Sequence, residues 1–310
     1  MYKLILLTNY DKFIVKSKTL KVYKNKKLNK ANFGDFNHSD YQVFISLVSK
    51  IGGVDKTGKY LQPQELEREH VLTAVDFGKT FGMNSTNPYN ALKKAVDKLM
   101  KTDIKIEKSD GKRLVRINVC SSAEYIEKEG KITVRFTDDI MPYLAQVREK
   151  FLLYNLKEVA NFGSLYTTRL YELIQEFKET GCMVISVEKL RDAFAVGTKF
   201  MLYGDLKRYT FGHAIKEINH FYDLNLRFEE MKKGRKVDAI RFKFNKTRVI
   251  EVFNPKTEES KKIYKKPKPL TQEKMKREPR GKNKEQPVEK HKESKKSIGQ
   301  ILKGLSFWSK

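Results

Sequence analysis

One order of local patterns occurs twice in this chain. "VLTAVDFGKTFGM" (71–83) and "VISVEKLRDAFAV" (184–196) each begin with a short β-rich run. Each then places a hydroxyl residue, Thr73 or Ser186, where an N-cap belongs, and continues as a short helix ending in Phe and a small or apolar residue. A second helix follows each, "PYNALKKAVDKLM" (88–100) and "DLKRYTFGHAIKEI" (205–218). After each helix comes a hairpin pattern: "DIKIEKSDGKRLVRINV", turning at Asp110-Gly111, and "LNLRFEEMKKGRKVDAIRFKF", turning near Gly234. Helix, turn, basic helix and two-stranded wing is the order of a winged helix-turn-helix. The reading is therefore α+β, with two such domains in tandem.

Each copy also has an earlier helix. "SDYQVFISLVSKI" offers Ser39 as a cap, with Tyr41, Phe44, Ile45 and Val48 on one face. "SLYTTRLYELIQEFKETG" offers Ser164 as a cap and Tyr166, Leu170, Leu173, Ile174 and Phe177 as one stripe, with Gly181 as the stop. That stripe reads as core, with Tyr171 inside and Arg169 and Glu172 as an i,i+3 pair. Between the copies, 131–159 reads as a further strand and a helix that link the modules, with Thr137 or Asp138 as the helix cap. The domains are expected at 1–155 and 156–254.

Charge identifies the kind of partner. The 310 residues carry 64 Lys and Arg against 38 Asp and Glu, a formal charge of +26, which favours a polyanion. Residues 255–310 hold 18 basic and 7 acidic residues and five of the eight prolines, so they read as a disordered basic tail. The remainder is still basic by +15. No apolar run approaches the ~20 residues that span a bilayer, and "MYKLILLTNYDKF" lacks the apolar core of a signal peptide. The expectation is a cytoplasmic protein with no membrane partner. Cys120 and Cys182 stand apart and read as free thiols.

At "LKEVANFGSLYTTRLYELIQEFK" the chain resembles the plasmid replication initiator (Rep) family of iteron-binding proteins, which carry an "S-x-RLYE-L" type of segment between two winged-helix domains. The likeness continues through "ISVEKLRDAF", "DLKRYTFGHAIKEIN" and "KKGRKVDAIRFKF". Upstream, "VDFGKTFGM", "ALKKAVDKLM" and "KITVRFTDDIMPYL" resemble the first domain of that family. The resemblance spans roughly residues 33–245. It implies binding to short direct repeats at a bacterial plasmid origin, help in opening adjacent AT-rich DNA, and recruitment of host replication proteins, the host initiator and the replicative helicase. It also implies a monomer in equilibrium with a homodimer that represses its own promoter. A winged-helix transcription regulator without an initiation role is the alternative.

In a winged helix the second helix of the turn motif enters the major groove. In the second module its leading residues are Lys207, Arg208 and Tyr209, after a loop with Tyr203 and Asp205, and Lys216 lies further along its outer face. An Arg paired with both guanine acceptors is worth about 1–3 kcal/mol of discrimination. A solvated basic face would look similar, but the helix-turn-helix context favours DNA contact. Lys232, Lys233, Arg235 and Lys236 around Gly234 suit phosphate or minor-groove contact, or a merely solvated turn. In the first module Ser85, Thr86, Asn87 and Asn90 suit phosphates or bases, and Lys93 and Lys94 suit phosphates. An ordinary capped helix, with Pro88 in its first turn, accounts for these residues about as well.

Catalytic patterns are lacking. The five histidines never occur as His-x-His, as a metal-dependent nickase would need, and no Gly-rich loop ends in Gly-Lys-Ser/Thr. Asp138-Asp139 is the sole tempting carboxylate pair for metal-assisted polymerase chemistry, and a helix cap explains it better. The expectation is a non-enzyme without metal or cofactor. The terminal "SIGQILKGLSFWSK" reads either as an amphipathic docking segment or as a disordered end.

Overall fold

The computed structural model describes residues 20–52, 61–84, 86–107, 114–145 and 151–245. The basic tail, Ser85, the Asp110-Gly111 turn and the terminal apolar segment lie outside the described residues. No described helix is long and apolar enough to cross a membrane.

The chain enters on strand β1 (Lys21–Asn25) and the one-turn helix α1 (Lys26–Asn29). Helix α2 (His38–Val48) opens on a capping box of Asn37 and Asp40, so Ser39 is not the cap. Asn37 supplies the acceptor because it alone precedes the first helical residue in extended backbone. Every residue from Asp40 to Val48 is buried, which makes α2 the centre of the first module. Strand β2 (Glu69–Thr73) leads into α3 (Ala74–Phe81), capped by Thr73, whose Oγ1 accepts from Asp76 N at 3.0 Å. Helix α4 (Asn87–Lys101) has Pro88 in its first turn and buries Leu92, Ala95 and Leu99 on one face.

The hairpin after α4 is not the wing. Strands β3 (Asp103–Glu107) and β4 (Leu114–Asn118) pair only with each other, and Asn32 bridges Lys105 on the free edge of β3. The wing is the next pair, β5 (Cys120–Ile126) and β6 (Lys131–Phe136), which completes a sheet in the order β2-β6-β5. Its tip, Glu127-Lys128-Glu129-Gly130, is mostly acidic. Gly130 turns with φ of 57°, and a β-carbon there would lie 2.3 Å from the Tyr89 ring. Two consecutive hairpins carry the same alternating pattern, so local sequence cannot say which of them joins β2. The choice is made across the sheet, where Leu72 pairs with Ile132 and His70 with Val134.

The connecting segment also differs from the expected strand and helix. After β6 come a single turn, α5 (Met141–Leu144), then β7 (Phe151–Asn155) and another single turn, α6 (Leu156–Val159). β7 pairs antiparallel with β1, which ties the connection back to the start of the chain. Thr137 and Asp138 cap nothing: Thr137 Oγ1 donates to the Asn118 carbonyl, and Asp138 pairs with Arg68 at 2.5 Å.

The second module repeats the scheme with α7 (Leu165–Gln175), β8 (Cys182–Ser186), α8 (Val187–Ala193), α9 (Tyr203–Tyr209), α10 (Phe211–Phe221), β9 (Arg227–Lys233) and β10 (Lys236–Lys243). Its sheet order, β8-β10-β9, matches that of the first module. Ser164 and Ser186 cap α7 and α8 as expected.

Helix α7 is more than the core stripe of its own module. Residues Thr167 to Ile174 are all buried, charged ones included. Glu172 accepts on one oxygen from Lys24 Nζ (2.5 Å) and Tyr154 Oη (2.6 Å). Its other oxygen accepts from Tyr41 Oη (2.6 Å) and Arg169 Nη1 (2.9 Å). Arg169 Nη2 donates to the carbonyls of Asn29 (2.7 Å) and Ala31 (2.9 Å), and Nε to that of Ala193 (3.1 Å). Its guanidinium also lies 4.7 Å from the Phe33 ring centroid. One arginine thus joins α2, the 29–31 segment and the end of α8. This network joins the modules, and the linking segment takes part in it through Tyr154 of β7.

Burial pushes the Lys24 ammonium down to about 8, against the pull of Glu172. Burial alone would raise the Glu172 carboxyl, but Lys24 and Arg169 outweigh it and hold the group below its usual 4.5. Glu172 therefore contributes stability that is present above pH ~4.5 and lost as pH falls through its depressed folded value. Removing the shared acceptor leaves two buried cations uncompensated. Glu172→Ala is expected to cost about 3–5 kcal/mol, read as a lower urea midpoint at pH 7.

Candidate nucleic-acid interface

Arg191, in the last turn of α8, bonds the turn that leads into α9. α9 and α10 are two helices where sequence reading expected one. Thr210 breaks the run with φ −119° and ψ −99°, while its Oγ1 donates to the Leu206 carbonyl at 2.5 Å. The bend brings the backbone of Gly212 so close that a β-carbon there would sit 2.5 Å from the Lys207 carbonyl oxygen. The apolar sides of both pieces still reach the core through Leu206, Phe211, Ala214, Ile215 and Ile218. Local propensity supports a helix on both sides of Thr210, so only this close approach reveals the bend.

The anticipated contact residues divide into two groups. Tyr203 and Lys207 face the wing: Tyr203 Oη donates to Glu230 Oε1 at 3.0 Å, and Lys207 Nζ to the same oxygen at 2.9 Å. Lys207 also lies 5.0 Å from the Phe228 ring centroid. The Lys207 hydrogen bond holds the Glu230 carboxyl below its usual range, and burial together with Glu230 pushes the Tyr203 phenol well up. These two residues clamp α9 to β9. Arg208 and Tyr209 instead face solvent, with the guanidinium 5.3 Å from the Tyr209 ring and that ring stacked on Phe200 at 5.5 Å. Lys216 is exposed on α10, well along from Arg208.

The second wing is basic at its tip. Lys232, Lys233, Arg235 and Lys236 are all exposed around Gly234, whose φ of 62° suits the first position of a two-residue hairpin turn. Asn219 of α10 fixes the approach to this wing, accepting from Leu226 N (2.7 Å) and donating to the Leu226 carbonyl (2.8 Å). In the first module Thr86, Asn87, Asn90, Lys93 and Lys94 are exposed along the leading turns of α4. Lys93 lies 3.6 Å from Glu127 of the acidic wing tip.

Sequence reasoning missed Arg191 and the loop it holds. The available signal was the apolar run Phe200-Met201-Leu202 between Lys199 and Asp205, which belongs to no helical stripe. Among the described residues no group of three His, Cys, Asp or Glu side chains could hold a metal ion.

Comparison with known proteins gives this architecture its family. The model described as "Initiator Replication protein, WH1" matches residues 21–175, half of the chain, and "Initiator Rep protein, WH2" matches 186–244. The chain belongs to the initiator replication protein family. Among its relatives, a "Replication initiation protein" of Escherichia coli is 27% identical over 199 residues, covering 61% of this chain and 60% of the relative. The "PI protein" of Escherichia coli is 26% identical over 146 residues, covering 41% and 48%. The chain thus spans about half to three-fifths of the length of these curated relatives. The crystal structure of Pi initiator protein in complex with iteron DNA shares the fold, with a TM-score of 0.60 at 21% identity, covering 74% of this chain and 98% of that one.

For this family member the bend at Thr210 yields a direct test. Gly212→Ala should lower stability by about 1–3 kcal/mol, because the obstacle is backbone. Gly204→Ala, which meets nothing within 4 Å on α9, should be neutral or slightly stabilising. Thermal melts of both variants check the contrast.

Proposed function

We propose that this initiator binds short direct repeats of double-stranded DNA at a plasmid origin and so starts replication. The reading rests chiefly on one observation: two winged-helix modules joined through the buried Glu172 cluster, each with an exposed helix and the second with a basic wing. We place the division between them at residues 155 and 156. In this reading α9 and α10 of the second module enter one major groove. Arg208 and Tyr209 meet bases, Lys216 supports them, and Tyr203 and Lys207 position the helix against the wing. Lys232, Lys233, Arg235 and Lys236 contact the backbone of the flanking groove. Thr86, Asn87, Asn90, Lys93 and Lys94 of α4, with Ser85 before them, engage a second stretch of the repeat. The Pi initiator protein that shares this fold is described in complex with iteron DNA, which supports a repeat as the ligand here.

Initiation then follows from binding and deformation of DNA, with no catalytic step in the protein. Adjacent copies on successive repeats bend the duplex, and the strain favours opening of AT-rich sequence nearby. The same surface can repress the protein's own promoter when the chain is a homodimer, and the opened origin receives the host initiator and the replicative helicase. The site of action is the bacterial cytoplasm, on plasmid DNA. A pure transcription regulator would instead protect one inverted repeat at a promoter.

Footprinting on DNA flanking the gene should therefore show evenly spaced direct repeats. Affinity should fall steeply with salt, since each neutralised phosphate releases counterion. Arg208→Ala should lower the ratio of repeat to random-DNA affinity by about 5- to 150-fold, the equivalent of about 1–3 kcal/mol of discrimination. Changing Lys232 and Lys233 to Ala should weaken both about equally and flatten the salt slope. An unchanged ratio in Arg208→Ala would remove α9 from the recognition role.

A further inference from the structure

The turn between α8 and α9 is held in a backbone conformation its residues resist. Ala195 and Phe200 have φ of 50° and 55°, in the left-handed region that side chains disfavour, on either side of Gly197 at 54°. Strain of this kind persists only where neighbouring bonds enforce it. Here Arg191 does so. Its Nη1 donates to the Phe200 carbonyl at 2.6 Å, and its Nη2 donates to the carbonyls of Lys199 at 2.7 Å and Gly197 at 3.2 Å. Three carbonyls converging on one guanidinium make the turn a fixed ledge.

The ledge sorts its side chains. The Phe200 ring turns inward, 6.3 Å from Tyr166 and stacked on Tyr209. Met201 and Leu202 turn outward and are 75% and 71% exposed, the most exposed large apolar side chains among the described residues. They immediately precede α9, and Lys199 and Arg208 stand exposed on either side of them in the chain. Exposing two such side chains on a pinned, strained turn has no benefit for folding. It does suit an apolar group carried by a polyanion. In duplex DNA the major groove offers one such group, the C5-methyl of thymine.

We propose that Met201 and Leu202 are specificity-determining residues that pack on thymine C5-methyl groups, so that the repeat carries thymines beneath the turn. The proposal rests on the reading that α9 faces DNA. It adds an apolar contact to the hydrogen bonds assigned to Arg208, and makes Arg191 a positioning residue that acts through the turn.

The test uses the full chain and the protected repeat, with thymines replaced by deoxyuridine first throughout and then singly. This change removes the methyl and leaves every hydrogen-bonding group in place. Wild-type protein should lose about four-fold in affinity for each methyl it buries. The double variant Met201→Ala, Leu202→Ala should bind the thymine and uracil repeats alike, with an unchanged melting temperature. Met201→Leu should keep the discrimination. A wild-type protein indifferent to uracil, or a double variant as sensitive as wild type, overturns the proposal. So does a double variant altered in self-association by sedimentation but unaltered in thymine discrimination, which would assign the patch to a protein contact. Arg208→Ala separates the two levels. If it loses specificity while uracil has no effect, only the thymine contact fails; if it keeps specificity, the DNA-facing reading of α9 fails as well.

Discussion

Everything else in this molecule hangs on a carboxylate with no access to water. Glu172 receives four donors, and they come from β1, α2, β7 and its own helix. An apolar contact between two modules tolerates sliding, because dispersion and the hydrophobic effect have no preferred direction. Four converging hydrogen bonds do not, and Arg169 extends the constraint to the end of α8 through the Ala193 carbonyl. Replacing such a cluster with apolar residues is often neutral or stabilising in other proteins. Its effect here is geometric: it brings β1, α2, β7 and α7 onto one carboxylate.

From that anchor the order of restraint runs outward. Glu217 of α10 accepts from Gly163 N and Thr167 Oγ1, which ties α10 to the start of α7. Asn219 fixes the approach to β9, and Glu230 on β9 draws Tyr203 and Lys207 of α9 against the wing. Arg191 pins the turn ahead of α9. The side chains left exposed at the end of this series are Arg208, Tyr209, Met201, Leu202 and the wing-tip cations. A surface built this way loses little order when it binds, since its backbone is already in place.

The duplicated order of helices and hairpins was legible because it rests on local signals. Thr73, Ser164 and Ser186 cap where their position before an apolar run says they should, and Gly234 turns the second wing. The family segment around Arg169 to Glu172 was legible too, and its reading as structural holds: both residues are buried and paired. Less was legible at the site. Lys207 and Arg208 are adjacent and chemically alike, yet one is clamped to Glu230 and the other is exposed. Helical phase alone leaves open which neighbour finds a carboxylate across the wing.

By itself the sequence determined the two winged-helix modules, the caps at Thr73, Ser164 and Ser186 and the cationic character, because each follows from residues a few positions apart. Only the tertiary structure decided which hairpin is the first wing, that the run from Tyr203 to Phe221 bends at Thr210, and that Glu172 gathers donors from across both modules. The hairpin choice and the Glu172 cluster depend on residues far apart in the chain, as strand register and buried charge pairing do, and the bend on how closely the Gly212 backbone meets the Lys207 carbonyl. A linear pattern records that a residue is apolar or charged. It does not record what will stand opposite it.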